Sequence, residues 1–146
     1  MRVTELITRD HATVHQLFIS LQCAEEPPEQ RRLLEQIVDE LHAHASAEEE
    51  VVYPALRGVS RRIDDAEAAH EHVRMLIAEL QGGEAGSPDF MVRARHLKQA
   101  VLSHVAEEEG GILLEAGLLP PEELERLGTA MQEAKAAAKA VRREAA

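Results

Sequence analysis

Apolar residues recur along this chain with a helical period and rarely with the strict alternation of a strand. Leu6, Ile7, Val14, Leu17, Phe18 and Leu21 form one stripe of a 3.6-residue repeat, which predicts a first helix capped by Thr4 and ending near Ala24. Pro27-Pro28 ends that helix or opens the next, because proline is tolerated in a first helical turn. The second helix, from about Pro28 to Leu56, carries Leu33, Leu34, Ile37, Val38 and Leu41. Pro54 is expected to kink or end it, since it lacks an amide hydrogen and clashes one turn back. After a turn over 58–62, a third helix runs from about Asp64 to Leu80 on Val73, Leu76, Ile77 and Leu80. The glycine-rich loop from Gly82 to Pro88 is the clearest break in the chain. A fourth helix, about Pro88 to Glu109, turns Val92, Leu97, Val101, Leu102 and Val105 inward and is stopped by Gly110-Gly111. Pro120-Pro121 opens a last helix rich in Ala, Glu, Lys and Arg. It has too few large apolar residues for a core element and is expected to pack outside or stay partly mobile.

The pattern therefore predicts an all-α fold: an up-down-up-down four-helix bundle over residues 1–116, with an extra C-terminal helix in 117–146. Composition agrees, because the 45% hydrophobic content is mostly aliphatic, with Phe18, Tyr53 and Phe90 the only aromatic residues. At 146 residues the chain suits one domain with a real core. The net charge of −11 argues against a nucleic-acid partner, whose phosphates would be repelled. A single cysteine, Cys23, excludes an internal disulfide framework. Charges interrupt the start where a signal peptide needs an apolar run, and no apolar stretch approaches the ~18 residues of a membrane span. A soluble, cytoplasmic protein without a membrane partner is expected.

The candidate chemistry lies on the polar positions of these helices. His44 and Glu48 are four residues apart, hence stacked on one helix face and able to reach a common cation. One such pair is common on solvated helices. Here it occurs twice, because His104 and Glu108 repeat it 60 residues later. Asp10-His11 likewise has a partner in Ala69-His70, 59 residues on, so each half supplies a lone His and a His-x-x-x-Glu. Four imidazoles and two carboxylates are costly to bury without a shared purpose. Two divalent ions bridged by the carboxylates satisfy all six, and donors without thiolate favour iron or manganese, with zinc possible. His42, His72 and His96 are expected to face solvent, whereas His15, one turn after His11, can line the site.

At these residues the chain resembles the hemerythrin-like family, the HHE cation-binding domains, over about Val3 to Ala116. The resemblance rests on Asp10-His11 with Val14 and Leu17-Phe18, and on His44-x-x-x-Glu48-Glu49-Glu50-x-x-Tyr53-Pro54. His70 and His104-x-x-x-Glu108-Glu109-Gly110 complete it. It implies a bundle enclosing two iron ions with an oxo or hydroxo bridge, held by His11, His44, Glu48, His70, His104 and Glu108, with Glu109 the alternative to Glu108. Oxygen-carrying hemerythrins have a second His one turn after the third helix's His, and Arg74 stands there in this chain. The expectation is a non-haem di-iron protein handling small oxidants, by catalase- or peroxidase-like peroxide decomposition or by nitric oxide chemistry. Reversible oxygen binding or sensing and iron storage or sensing are the alternatives. Tyr53 is a candidate catalytic phenol, although nine residues after His44 it falls about 180° out of phase on an ideal helix, so that only a kink at Pro54 brings it inward.

Overall fold

A computed structural model describes residues 1–145. Among them the chain forms five helical rods and no strand. The α-helices are α1 (Val3–Cys23), α2 (Pro27–Ala47), α3 (Tyr53–Leu56), α4 (Ile63–Gln81), α5 (Pro88–Glu107), α6 (Leu113–Ala116) and α7 (Pro121–Ala145). A π-helical turn, Glu48–Val52, joins α2 to α3 without a break, and another, Glu108–Ile112, joins α5 to α6. Gly110-Gly111 therefore does not stop the fourth rod, which continues to Ala116. Pro54 does not end the second, because it sits in the first turn of α3, where the hydrogen-bond ladder is already displaced.

Two apolar clusters hold the rods together. One gathers Leu6, Ile7, Val52, Leu56, Ile63 and Ile112, the other Val14, Phe18, Ile37, Val38, Val73 and Val101. On every one of the four rods the candidate ligands lie between the two clusters in sequence: His11 between Ile7 and Val14, His44 between Val38 and Val52, His70 between Ile63 and Val73, and His104 between Val101 and Ile112. The polar groups thus form one layer across the interior, with aliphatic clusters above and below it.

Three further sequence expectations change. Thr4 lies inside α1, whose start has no side-chain cap, and its carbonyl accepts the Thr8 hydroxyl. Val92 is exposed, since the buried stripe of α5 is Phe90, Ala94, Leu97 and Val101, and Val92 lies about 200° round from Phe90. The largest change is α7. Leu124, Leu127 and Met131 form a buried stripe against α1 and α2, with Met131 fully buried, so the last rod completes the first cluster. Its approach depends on Gly128, where a β-carbon would lie 2.0 Å from the Met1 carbonyl oxygen and 3.1 Å from the Val3 nitrogen. Gly128→Ala is accordingly expected to cost about 1–3 kcal/mol of stability through overpacking against backbone. An unchanged thermal melt would show that α7 does not dock there. Among the described residues no helix is long and apolar enough to cross a membrane.

Candidate metal centre

The polar layer brings together all six residues singled out by spacing. Ligand atoms of Glu48, His70, His104 and Glu108 lie within 4.8 Å of one another, as do those of His11, His44 and Glu108. Glu48 and Glu108 are 0% and 1% exposed, a burial no carboxylate tolerates without partners.

The geometry repeats the internal symmetry of the sequence. Glu48 reaches His44 Nε2 on its own rod at 3.0 Å and His70 Nε2 on α4 at 3.3 Å. Glu108 reaches His104 Nε2 on its own rod at 3.3 Å and His11 Nε2 on α1 at 3.1 Å. Each carboxylate therefore spans two rods. The imidazoles fall into two pairs, His11 with His44 and His70 with His104, at ring-centre distances of 5.1 and 4.8 Å.

The outward nitrogens are held by a further ring of carboxylates. Glu109 takes His11 Nδ1 at 2.8 Å and Glu49 takes His70 Nδ1 at 3.0 Å, so these neighbours of the inner glutamates repeat with the same period. Asp10 takes His44 Nδ1 at 2.8 Å and also accepts Lys135 Nζ from α7 at 2.6 Å. A carboxylate on Nδ1 fixes the ring and turns Nε2 inward with its lone pair available. His104 has no such partner from the matching position, which is Ala69. Sequence reasoning did not find this outer ring. Its signal was the doubled Glu48-Glu49 and Glu108-Glu109, which had left Glu109 as an alternative ligand.

Inside the ring the hydrogen bonding is incomplete. His11 Nε2, His44 Nε2, both oxygens of Glu48 and one oxygen of Glu108 are buried without a hydrogen bond of acceptable geometry. His44 Nε2 lies 3.0 Å from Glu48 and His11 Nε2 3.1 Å from Glu108, yet neither pair is properly aligned. Orphaned imidazole nitrogens and carboxylate oxygens converging on one space form the donor set of a hard or borderline cation.

Tyr53 also reaches this space. Its hydroxyl donates to Glu108 Oε2 at 2.5 Å and lies 3.3 Å from His70 Nε2. The cause is the π turn rather than a kink at Pro54. The Tyr53 amide bonds the carbonyl of Glu48, five residues back, so the turn holds one extra residue. That insertion rotates everything after it by about 100° relative to an ideal helix and swings Tyr53 inward. The second π turn does the same for Leu113, which repeats Tyr53 in the other half but carries no hydroxyl.

Without a metal, protons hold the carboxylates together. Burial disfavours a charged His44, but the charge of Glu48 and the hydrogen bond to Asp10 outweigh it and push the imidazole up to about 10. His11 and His70 are raised in the same way, against burial, by Glu108 and by Glu48 with Glu49. Glu108 is held well below its ordinary value, burial being overcome by His104 and His11. Burial, with Glu48 and Glu108 beside it, pushes the Tyr53 phenol far up.

Other expectations sort plainly. His42, His72 and His96 are exposed as the phase predicted, and His15 is exposed too, so it does not line the site. Arg74 pairs with Glu71 at 3.2 Å and with Glu49 at 2.6 Å. It thereby buttresses the carboxylate that holds His70.

Helical bundles that face His and Glu side chains across a common interior are a class of cation-binding protein. The chain belongs to the hemerythrin HHE cation binding domain family, whose profile matches residues 2–115. It is 35% identical over 111 residues to a DNA nickase of Nostoc sp. (strain PCC 7120 / SAG 25.82 / UTEX 2576). That match covers 75% of this chain and 32% of the relative, so the chain spans about a third of that protein's length. Its fold is that of a hemerythrin HHE cation binding domain-containing protein of Mycobacterium kansasii, with a TM-score of 0.88 and 23% identity over 97% of this chain and 89% of that one.

Proposed function

We propose that the chain is a non-haem di-iron protein that handles small oxidants, with His11, His44, Glu48, His70, His104 and Glu108 as the ligands of two iron ions. The observation that carries this is the convergence of six buried His and Glu side chains, five of whose donor atoms have no hydrogen-bond partner. Iron ions held by these six residues, with Glu48 and Glu108 central among them, would supply the electron transfer that reduction of an oxidant needs. The four long rods α1, α2, α4 and α5 run up-down-up-down around them, residues 1–116 form the HHE domain, and α7 braces it. The exposed thiol of Cys23 suits a reducing compartment such as the cytoplasm.

The chain's own groups make the halves unequal. His44 is fixed through Asp10 and Lys135, whereas His104 lacks that support, and Tyr53 adds an oxygen only on the side of His70. Tyr53 keeps its proton and donates it to Glu108, which fixes that carboxylate in the centre. Arg74, engaged with Glu49, offers no donor to the ions, and Arg cannot ligate in any case. The reduced protein is therefore expected to oxidise in air within minutes, without a lasting oxygen adduct, and the oxidised protein to consume peroxide. Stopped-flow spectra and peroxide assays on wild type and Arg74→His test this. A long-lived reversible oxygen spectrum without peroxide turnover would favour the carrier.

The word nickase describes a protein of which this chain matches only about a third, and the −11 charge here argues against DNA as a substrate. Supercoiled plasmid incubated with the loaded protein is expected to stay supercoiled.

Metal uptake should release protons. At pH 7 His44 is protonated in the metal-free protein, and a ligated imidazole must give up its Nε2 proton. Apparent affinity is thus expected to rise with pH, by about tenfold per unit for each proton displaced, and to level off above about 10, where that proton is already gone. Metal titrations at several pH values measure the slope. A flat profile would mean that the ions bind elsewhere.

A further inference from the structure

All four imidazoles line the inner end of a cavity of about 170 Å³, whereas Glu48, Glu108 and Tyr53 do not line it and close the centre from the other face. From the imidazoles the cavity extends between aliphatic walls: Val14, Val38, Val73, Ile77, Val101 and Val105. His42, Arg74, Gln81 and Arg142, all exposed or half-buried, mark its mouth. Both guanidinium groups there are engaged, Arg74 by Glu49 and Glu71 and Arg142 by Asp39. The mouth therefore offers little attraction to an anion, and the walls offer water no hydrogen bonds.

We propose that this cavity is a binding site for a compact neutral molecule with one polar end and an apolar body of about four to six carbons, and that the site's oxidant is a small alkyl hydroperoxide. The substrate class rests on the reading of the centre as one that handles peroxides. The binding site rests on the cavity alone. Apolar cavities of ~150 Å³ stay dry and hold benzene, which sets the size of the body. Each buried methylene favours binding by about fourfold, so a tert-butyl group gains roughly a hundredfold over hydrogen peroxide, which has nothing to bury. The peroxide end meets the imidazole layer, the polar boundary of the cavity. Reduction breaks the O–O bond, leaving one oxygen on carbon as an alcohol and releasing the other as water. It consumes two protons and two electrons, the latter from a one-electron donor such as ascorbate.

The experiment titrates the metal-loaded protein with tert-butyl alcohol, which cannot react, by calorimetry and by shifts of the valine methyl resonances. Binding is expected in the wild type. It should be lost at unchanged metal content in Ile77→Phe, which fills the cavity. In Leu41→Ala, which enlarges it, preference should shift towards cumyl alcohol. The ratio of kcat/KM for tert-butyl hydroperoxide over hydrogen peroxide should fall at least tenfold in Ile77→Phe. No binding to the wild type, or binding untouched by both variants, overturns the site even if peroxide is consumed. Binding without consumption of any peroxide leaves the site standing and overturns the substrate class together with the oxidant-handling function.

Discussion

Glu108→Ala is expected to empty the centre, whereas Glu109→Ala, one residue away, leaves it loaded but more weakly held. Glu108 commits both oxygens inward, one towards His11 and the other towards His104 and the Tyr53 hydroxyl. Its removal takes away a buried anion that faces two rods and strands the groups that met it. The metal-free fold also suffers, because His11 loses the buried carboxylate it faces at 3.1 Å. Glu48→Ala should behave alike, since Glu48 joins His44 to His70 in the other half. Glu109 is half-buried and touches only the outer nitrogen of His11. Losing it frees the ring without removing a donor, and such outer partners are worth about 10–100-fold in affinity. Metal per chain after dialysis against graded chelator separates the two outcomes. A loaded Glu108→Ala beside an empty Glu109→Ala would show that the second π turn is misplaced by one residue.

Much of this centre was legible in the sequence because an α-helix converts spacing into direction. His44 with Glu48 and His104 with Glu108 needed only the four-residue rule, and the 60-residue repeat made them credible together. Tyr53 was not legible for the same reason: the rule assumes an unbroken helix, and the π turn breaks the phase between Glu48 and Tyr53. No local propensity announces a π turn. Yet Pro54 and the Gly110-Gly111 pair both fall just after a repeated motif, where the first reads as a kink or an end and the second as a stop. The core role of α7 is not legible because counting large apolar residues overlooks small ones, and Gly128 is what lets its short stripe reach the core. The outer carboxylates could not be assigned from one sequence, since His11 meets Glu109 across 98 residues and Asp10 meets Lys135 across 125.

Asp10→Ala should cost both metal affinity and stability, and adding Lys135→Met should restore only the stability. Lys135 lies on α7, beyond the segment that matches the family. Its ammonium donates to one oxygen of Asp10, whose other oxygen takes the outer nitrogen of His44. Both charged side chains are mostly buried, at 14% and 11% exposure. Truncating Asp10 leaves the lysine as a partly buried cation and leaves the His44 ring unheld. Charged hydrogen bonds of this kind are worth about 1.5–3 kcal/mol, so a drop of that order is expected in the single variant. Replacing Lys135 with Met in that background removes the stranded charge and returns an apolar side chain of similar length to the helix interface. Stability should then recover in part, with a coupling of about 0.5 kcal/mol or more between these neighbouring sites. Metal affinity should not recover, because His44 still lacks the carboxylate that aims its Nε2, and it should stay about 10–100-fold below wild type. Chemical denaturation of the four proteins of the cycle, with a metal titration of each, reads both quantities. Strictly additive stabilities would dissolve the link between α7 and Asp10. Full recovery of affinity in the double variant would show that His44 is aimed by something other than Asp10.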